Sequence, residues 1–313
     1  ADPMNDMAPE HAAALQVTQA LRAAGYQAFW AGGCVRDRKL GQLQHADIDH
    51  ADIDIATDAQ PDQIRELFGQ RRTIAVGAAF GVIMVIAGEG KPIEVATFRS
   101  DASYSDGRHP DNVTFTDARE DAQRRDFTIN GMFYDPLSDV YIDHVDGQAD
   151  LEAGLIRAIG DAEQRFSEDK LRLIRAVRFA AALQFQIEPD TWKAILRHAS
   201  EITVVSAERI QSELQKILLH PERLRGIQLL RDSGLLAAVL PELETSDTDN
   251  WSELEVTMGK IQSPNFPLIL AACATSLASE TGLETSCERL KMSNHDRQLT
   301  LWLQHQLPRV LRL

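Results

Sequence analysis

The stretch HADIDHADIDIATDAQ, at residues 45–60, decides how the first part of the chain folds. Its second half, DIDIAT, is typical of a short β-strand, and PDQIRELF directly after it is typical of a helix with a proline at its start. Residues two apart on a strand project to the same face, so Asp52 and Asp54 are predicted to point at one place. Two carboxylates arranged in this way suit a divalent cation such as Mg²⁺, which prefers oxygen ligands.

A glycine pair stands upstream of this strand, in FWAGGCVRD at residues 29–37. Gly32 and Gly33 fall where a predicted strand meets a predicted helix, and Arg36 lies in the first turn of that helix. Because glycine has no side chain, backbone N–H groups at such a junction can approach a polyphosphate, and a helix N-terminus favours negative charge. Strand, glycine pair, helix and acidic strand together predict a nucleotide-binding unit, with these three residues as candidates.

The composition and the charge distribution limit the possible functions. The chain has 313 residues, 44% of them hydrophobic and 25% charged, which gives room for two or three globular domains. Its formal net charge of −15 argues against a protein that coats nucleic acid by charge alone. Residues 1–149 contain 13 basic and 24 acidic residues, whereas residues 150–235 contain 13 of each. The first segment is therefore suited to cations and the second to phosphates.

Membrane insertion and disulfide chemistry are both disfavoured by the sequence. No apolar run is long enough to span a bilayer and no charged-then-apolar leader opens the chain, so we expect a cytoplasmic protein. Cys34, Cys273 and Cys287 show no CxxC spacing, which indicates neither a disulfide framework nor a zinc site. Residues 1–10 are expected to be an expression-tag remnant and a disordered start, because ADP precedes Met4.

The pattern of secondary structure changes near residue 150. Before it, strand and helix signals alternate, and AAFGVIMVIAG followed by KPIEVATFR predicts a β-hairpin. After it, segments with helical periodicity follow one another as far as FPLILAACATSLAS, which predicts a buried helix. We therefore predict an α+β fold, in which a small mixed sheet with helices is followed by all-helical domains. The predicted domains are 11–149, 150–235 and 236–313.

Seven separated motifs, in order within residues 25–240, carry a family resemblance: GGCVRD, DIDIATDA, VGAAFGV, EVATFR, SDGRHPDNV, RRDFTING and EDKLRLIRAVRFA. They resemble those of the class II tRNA nucleotidyltransferases and bacterial poly(A) polymerases. The resemblance implies a polymerase-β-like nucleotidyltransferase head, a helical neck and a helical body. It also implies an enzyme that extends an RNA 3′ end without a template, adding CCA or the terminal A to tRNA, or adding poly(A). A non-catalytic descendant that binds nucleotides or RNA is the alternative.

The resemblance also assigns chemistry to the acidic residues. It implies phosphoryl transfer assisted by two Mg²⁺ ions, with Asp52 and Asp54 as metal ligands and Glu94 of EVATFR as a third catalytic carboxylate. ATP and CTP are the expected substrates, and tRNA or another RNA 3′ end is the expected partner. No membrane and no obligate protein partner are implied.

A first acidic pair, Asp47 and Asp49, competes for the same role. In the family the gap between the glycines and the aspartates is shorter, which fits Asp47 and Asp49 better, whereas the segment IATDA follows Asp52 and Asp54 directly. Loops tolerate insertions better than strands tolerate shifts, so a tandem duplication of five residues upstream of the working pair is the economical explanation. Asp47 and Asp49 are then predicted to belong to an acidic loop.

RRDFTING, at residues 124–131, supplies the next candidates. Arg124 and Arg125 are suited to a triphosphate, and the resemblance implies that Asp126 and Asn130 face the sugar of the nucleotide. The alternative for Arg125 is an Arg–Asp pair that simply braces the domain.

EDKLRLIRAVRF, at residues 168–179, is predicted to be one helix. At about 100° per residue, Asp169, Arg172 and Arg175 fall on one face. Asp169 and Arg172 offer an acceptor and donors that can hydrogen-bond the edge of a base. The resemblance implies that they select the incoming nucleotide, with Arg175 and Arg178 as further nucleotide-binding candidates. The alternative is a surface ion pair in which Arg175 and Arg178 are solvated charges.

SYSDGRHPDNV, at residues 103–113, is rich in turn-forming residues and is predicted to be a loop. In the family this loop takes part in adding the terminal A, and enzymes that add only CC lack it. Its presence argues against a CC-only enzyme and leaves CCA, A-only and poly(A) addition open. His295 and Asp296 adjoin each other without further metal ligands around them in the sequence, and we interpret that pair as accidental.

Overall fold

The structure, a computed structural model, describes residues 9–44, 52–88, 92–101, 113–244, 248–277 and 280–310. Asp47 and Asp49, with nearly all of the predicted loop at 103–113, lie outside these residues. The chain divides into two compact units, Ala1–Asp161 and Ala162–Leu313. Within the described ranges, no helix is long and apolar enough to cross a membrane. The further division of the helical part into neck and body stays a prediction.

The first unit is built around a seven-stranded sheet. The strands of this unit among the described residues are β1 (Ala28–Ala31), β2 (Asp54–Thr57), β3 (Thr73–Gly77), β4 (Val82–Val85), β5 (Ile93–Thr97), β6 (Arg99–Asp101), β7 (Val113–Phe115), β8 (Phe133–Asp135), β9 (Val140–Ile142) and β10 (Leu155–Ile156). The order across the sheet is β3-β4-β5-β2-β1-β8-β9, and β2 and β5 run parallel whereas the other neighbours run antiparallel. The predicted mixed sheet is therefore confirmed, as is the predicted hairpin, which forms β4 and β5.

The same unit contains the helices α1 (Pro9–Ala23), α2 (Gly33–Gln44), α3 (Pro61–Phe68), α4 (Ala118–Gln123) and α5 (Gly147–Ala153). α3 begins at Pro61, as predicted, because proline has the φ of a helix and its missing N–H needs no partner in the first turn. The backbone N–H of Gln60 donates to Oε1 of Gln63 at 2.8 Å, which closes that turn. Gly69, at φ 82°, ends the helix.

The two faces of the sheet pack against different helices. Because side chains alternate along β1, Trp30 lies on one face and Phe29 and Ala31 lie on the other. Nε1 of Trp30 donates to Oγ1 of Thr18 in α1 at 3.2 Å. Phe29 and Ala31 join a buried cluster that includes Ala122 of α4. α1 therefore covers one face of the sheet and α4 covers the other.

The second unit is helical. It contains α6 (Ala162–Glu168), α7 (Leu171–Ala182), the two-residue strand β11 (Gln186–Ile187), α8 (Pro189–His198), α9 (Ala207–Leu218), α10 (Arg223–Asp232), α11 (Leu235–Val239), α12 (Thr248–Lys260), α13 (Phe266–Leu277), α14 (Glu280–Arg289) and α15 (Asn294–Val310). The predicted change from a sheet to helices is confirmed. α13 is buried along most of its length, as its uninterrupted apolar sequence predicts.

The prediction of one helix over residues 168–179 is wrong. α6 ends at Glu168 and α7 begins at Leu171. The reason is local, because Oδ1 of Asp169 accepts the backbone N–H of Leu171 at 3.0 Å and so replaces an intrahelical partner. Asp169 therefore lies between two helices rather than on the face of one.

The thiols of the chain are all buried. Cys34, Cys273 and Cys287 are free cysteines, and Sγ of Cys34 donates to the backbone oxygen of Ala31 at 3.2 Å. Burial raises the pKa of Cys34 and Cys273 to about 12 and that of Cys287 to about 11. All three thiols are therefore protonated at neutral pH.

Candidate active site

Asp54 and Glu94 lie side by side on neighbouring strands. Asp54 is the first residue of β2, Glu94 is the second of β5, and the register of these parallel strands pairs them directly. Partners in register on adjacent strands project to the same face of a sheet. Ala31 is the register partner of Asp54 on β1, so the two carboxylates share the face that α4 covers.

The glycine turn lies against Asp54. Gly32 follows β1 with φ +77°, a left-handed conformation that glycine adopts without strain. A Cβ built on Gly32 would lie 3.7 Å from Oδ2 of Asp54 and 3.9 Å from Nη1 of Arg125. Gly33 starts α2, and a Cβ there would lie 3.6 Å from Nη2 of Arg36. The turn predicted to approach phosphate is thus bordered by one carboxylate and two guanidinium groups.

The carboxylates on this face are costly to ionise together. Burial, and after it the charge of Glu94, raises the pKa of Asp54 to about 7, although Arg125 acts in the opposite direction. Burial also raises the pKa of Glu94, against the opposing effects of Arg99 and Arg125. Because two neighbouring carboxylates disfavour each other's ionised form, a cation at this place would be favourable.

Asp52 shares a cleft with this pair but not their sheet. The strand predicted from DIDIAT is shorter than expected, since β2 begins at Asp54 and Asp52 is an exposed residue before it. A cleft of about 290 Å³ is lined by Glu10, Asp52, Ile53, Asp54, Met84, Pro92, Ile93 and Glu94. The shared cleft, rather than strand alternation, brings Asp52 near the pair. Glu10 of α1, which the sequence did not single out, adds a further carboxylate to this cleft.

The chemistry of these side chains fits Mg²⁺. Carboxylate oxygens are its preferred protein ligands, and substrate phosphates and waters commonly complete its shell. Among the residues that the structure describes, no group of three or more His, Cys, Asp or Glu side chains is close enough to hold an ion by itself. Mg²⁺ is commonly bound through one or two carboxylates together with substrate phosphates and waters, so Asp54 and Glu94 in register are the candidate pair.

Arg36, Asn130 and Asp126 form a chain of hydrogen bonds. Nη1 of Arg36 donates to Oδ1 of Asn130 at 2.8 Å, and Nδ2 of Asn130 donates to Oδ1 of Asp126 at 3.1 Å. The same oxygen of Asp126 accepts the backbone N–H of Phe127 at 2.7 Å. Asp126 and Asn130 are buried. The fold therefore brings together three candidates that come from two separate motifs, and their contact with a nucleotide stays a prediction.

Asp121, which the sequence analysis missed, holds Arg124 and Arg125. Nε of Arg124 donates to Oδ1 of Asp121 at 2.9 Å, and Nη2 of Arg125 donates to Oδ2 at 3.0 Å. The backbone N–H of Arg99 also donates to Oδ1, at 3.1 Å. Burial alone would raise the pKa of Asp121, but Arg125 and Arg124 outweigh burial and lower it. Arg125 is thus braced, while its Nη1 faces Gly32.

In the second unit, the two residues predicted to select the base have different partners. Nη1 of Arg172 donates to Oε2 of Glu168 at 2.7 Å and to the backbone oxygen of Arg165 at 2.9 Å. Oδ2 of Asp169 accepts a hydrogen bond from Nη2 of Arg209 in α9 at 2.9 Å. Arg172 is buried, so a solvated surface pair does not describe it.

Arg178 is paired with a buried carboxylate, whereas Arg175, whose side chain is 30% exposed, lies farther from the same group. Nε of Arg178 lies 2.6 Å from Oε2 of Glu213 in α9, and Nη1 of Arg175 lies 3.9 Å from Oε1 of the same side chain. The guanidinium of Arg178 also lies 4.1 Å from the ring centroid of Phe179. These contacts join α7 to α9, and a contact of either arginine with a nucleotide stays a prediction.

A mixed sheet with an acidic pair beside a glycine turn, followed along the chain by helices, defines a nucleotidyltransferase. The family model described as "Poly A polymerase head domain" matches residues 28–157. A second model, described as "Probable RNA and SrmB- binding site of polymerase A", matches residues 184–246.

Relatives extend this match over most of the chain. The CCA-adding enzyme of Lactobacillus johnsonii is 38% identical over 293 residues, which cover 88% of this chain and 71% of that protein. The chain belongs to the family of CCA-adding enzymes and poly(A) polymerases, as its seven motifs predict.

Solved structures show the same fold. The Bacillus stearothermophilus CCA-adding enzyme in complex with CTP has a TM-score of 0.78 and 31% identity, and the match covers 98% of this chain and 71% of that one. The Thermotoga maritima CCA-adding enzyme complexed with tRNA_CCA has a TM-score of 0.76, 20% identity and a match over 99% of this chain and 73% of that one. The latter likeness bears on the fold alone.

Proposed function

We propose that this protein adds nucleotides to the 3′ end of tRNA without a nucleic-acid template and releases pyrophosphate. The observation that carries the proposal is the position of Asp54, which is in register with Glu94 and lies beside Gly32 and Arg125. CTP and ATP are the proposed substrates. The family membership and the complex of a relative with CTP support this assignment.

Mg²⁺ would be held by Asp54 and Glu94, with Asp52 in the same cleft. When bound, two such ions would lower the pKa of the attacking 3′-hydroxyl and neutralise charge on the departing pyrophosphate. The contribution of the chain is to keep two carboxylates in fixed register on one face of the sheet. No covalent bond between the protein and the nucleotide is needed.

Arg125 is proposed to bind the triphosphate. Its guanidinium is held by Asp121 on one side and presents Nη1 to Gly32 on the other. A donor that is already oriented before the substrate binds loses little side-chain entropy on binding. Charge that builds on phosphate oxygens would therefore meet a preorganised positive group.

The hydrogen-bonded chain of Arg36, Asn130 and Asp126 is proposed to bind the ribose. A hydroxyl can donate to a carboxylate oxygen and accept from an amide N–H. Buried polar groups that are arranged for a hydroxyl disfavour the analogue that lacks it, because they are left without a partner. An Asn130→Ala variant is expected to lower the preference for ribonucleotides over deoxyribonucleotides, measured as the ratio of their kcat/KM values.

Asp169 and Arg172 are proposed to choose the base. Asp169 offers acceptor oxygens and Arg172 offers N–H donors. Cytosine and adenine present an amino donor on their pairing edge, where uracil and guanine present a carbonyl acceptor. A carboxylate that meets this position therefore favours C and A over U and G.

Incorporation assays test the proposed function. The protein is incubated with Mg²⁺, each labelled nucleotide separately or CTP together with ATP, and tRNA lacking CCA, tRNA ending in CC, or an unstructured RNA. Sequential use of CTP and ATP on the first tRNA indicates CCA addition, and use of ATP on the second tRNA alone indicates A addition. Repeated A addition to unstructured RNA indicates a poly(A) polymerase. Absence of incorporation in every combination contradicts the proposal.

Two variants decide between the two acidic pairs. Asp52→Ala is expected to lose nucleotide transfer, because Asp52 lines the cleft with Asp54 and Glu94. Asp47→Ala is expected to keep it. The opposite result would move the metal site to the first repeat, Asp47 and Asp49.

A further inference from the structure

The carboxylate of Asp169 is held from two sides. Oδ1 accepts the backbone N–H of Leu171 at 3.0 Å, and Oδ2 accepts Nη2 of Arg209 at 2.9 Å. The first contact is local and starts α7, whereas the second comes from α9, 40 residues further along the chain. The pair is still reachable, since 16% of the Asp169 side chain and 20% of the Arg209 side chain are exposed. The carboxylate is therefore held in one orientation and remains partly accessible to a ligand.

We infer that Arg209 is a positioning residue, which sets nucleotide choice by holding the carboxylate of Asp169 in one orientation. The inference rests on the proposed role of Asp169 in selecting the base. Each carboxylate oxygen has two acceptor positions, so Oδ2 can accept from Arg209 and still accept from the amino group of a base. Arg209 acts through Asp169 and needs no contact with the nucleotide.

Orientation matters because the terminal torsion of an aspartate is broad. A carboxylate that rotates freely offers acceptors in many directions, including toward the ring N–H of uracil or guanine. A carboxylate that is held in one direction accepts only from a donor at the matching place, and specificity is the difference between those two affinities. Arginine suits this task because its planar guanidinium presents donors in a rigid geometry.

Arg172, which supplies the donors in the proposed base selection, has contacts of its own. Arg172 contacts Glu168 and the backbone oxygen of Arg165, both of which belong to α6. Loss of Arg209 is therefore expected to loosen the acceptor while the donors stay in place. The predicted consequence is a loss of discrimination between amino and carbonyl bases rather than a general loss of catalysis.

The neighbouring residue on α9 offers a matched control. Glu208 pairs with Lys291, and the side chains are 60% and 63% exposed. Glu208 and Arg209 are consecutive residues of one helix, and each forms an ion pair, but only the pair of Arg209 includes Asp169. A change that is specific to Arg209 can therefore be separated from a change in the charge or stability of α9.

Steady-state kinetics on the full chain test the inference. The variants are Arg209→Gln, Arg209→Lys, Asp169→Asn and the control Glu208→Gln, with kcat and KM measured for CTP, ATP, UTP and GTP on tRNA lacking CCA and tRNA ending in CC. Arg209→Gln is expected to lower the ratio of kcat/KM for CTP over UTP by about tenfold, because a hydrogen bond to a charged group is lost. The change is expected mainly in KM. Arg209→Lys is expected to restore part of the ratio, and Glu208→Gln to leave it unchanged.

A double-mutant cycle tests whether Arg209 acts through Asp169. The double variant Asp169→Asn with Arg209→Gln is expected to discriminate no worse than Asp169→Asn alone, because residues that act as a unit are not additive. Circular dichroism and urea unfolding establish that each variant is folded. If Arg209→Gln does not fold, Arg209→Lys replaces it, with an expected loss of about threefold in the CTP over UTP ratio.

The outcomes separate this inference from the proposed function. A folded Arg209 variant with the wild-type nucleotide ratio overturns the inference, as does a loss that adds in full to that of Asp169→Asn. Both results leave template-independent addition intact. Absence of incorporation by the wild-type protein overturns the proposed function instead.

Discussion

The acidic side chains of the two units have opposite surroundings. In the first unit, Asp54 and Glu94 lie in register on one face of the sheet, and burial together with their proximity raises the pKa of Asp54 to about 7. In the second unit, Asp169 pairs with Arg209 and Glu213 pairs with Arg178. Like charges are gathered in the first case, and opposite charges are matched in the second.

The difference shows how two kinds of functional arrangement are built. Gathered carboxylates cost folding free energy until a cation arrives, so removing one of them is expected to stabilise the protein without metal. Matched pairs stabilise the folded chain, so removing one partner leaves the other buried without compensation. A metal site is thus recognised by carboxylates that lower the stability of the metal-free protein. A positioning network is recognised by charged groups that all have partners of opposite charge.

The strongest test of the gathered pair is Asp54→Asn. It is expected to lower kcat/KM about a thousandfold or more, because metal ligation contributes several kcal/mol to stabilisation of the transition state. The same variant is expected to unfold at a higher temperature than the wild type in EDTA, since the repulsion from Glu94 disappears. Differential scanning calorimetry with and without Mg²⁺ measures this. A lower unfolding temperature for Asp54→Asn than for the wild type in EDTA would contradict the proposed difference between the two units.

Asp121 tests whether the pairing of a carboxylate, rather than the unit in which it lies, decides if removing its charge stabilises or destabilises the protein. It lies in the first unit but is matched by Arg125 and Arg124, which hold its pKa below the ordinary value although burial acts to raise it. The folded-state pKa is depressed, so the stability it contributes is fully present above about pH 4 and is lost as the pH falls through the folded-state pKa. Asp121→Asn is expected to lower the free energy of unfolding by about 3 kcal/mol at pH 7.

Urea unfolding at pH 7 and at pH 3.5 measures that effect. The loss in Asp121→Asn relative to the wild type is expected to shrink at the lower pH, because the carboxyl takes up a proton in the unfolded chain before it does so in the folded protein, where its pKa is lowered. An equal loss at both values would mean that shape or hydrogen bonding, and not charge, makes Asp121 important.

Glu213 is the corresponding test in the second unit. Its side chain is buried and lies against Arg178, Arg175 and Lys216. Glu213→Gln keeps the shape and removes the charge, so we expect a loss of about 2 kcal/mol in the free energy of unfolding. Lys216→Met is the control, with an expected loss below about 0.5 kcal/mol because Lys216 is half exposed. A stabilising effect of Glu213→Gln would contradict the view that this unit is built from matched charges.

The smallest effect is expected at the exposed pair of Glu208 and Lys291. Lys291→Met is expected to change the free energy of unfolding by less than about 0.5 kcal/mol, because exposed ion pairs are screened by water and salt. Urea unfolding in low and high salt measures it. A loss of more than about 1 kcal/mol would show that exposure is a poor guide to the strength of these pairs.

Local patterns were enough to predict much of the fold. Pro61 marks the start of α3, and the apolar runs on either side of a glycine-containing turn become the hairpin of β4 and β5. These features depend on neighbours in sequence, which is why they were readable. The end of α6 was not readable in this way, because residues 168–179 have the spacing of a continuous helix, whereas the carboxylate of Asp169 accepts the backbone N–H of Leu171 and interrupts it.

Partners of the site residues were harder to predict. Asp121 precedes Arg124 and Arg125 by three and four residues, a spacing that favours ion pairs on a helix, and this signal was available. Arg209 lies 40 residues from Asp169, and their pairing depends on how α9 packs. No pattern of nearby residues encodes such a contact.

The buried thiols have a practical consequence for chemical labelling. Maleimides and similar reagents attack the thiolate, and pKa values of about 12 at Cys34 and Cys273 and about 11 at Cys287 leave almost none of it at neutral pH. A cysteine introduced at Lys193, whose side chain is 63% exposed, is therefore expected to react faster than the three native thiols. Fluorescent or spin probes are therefore expected to attach at the introduced cysteine in preference to Cys34, Cys273 and Cys287.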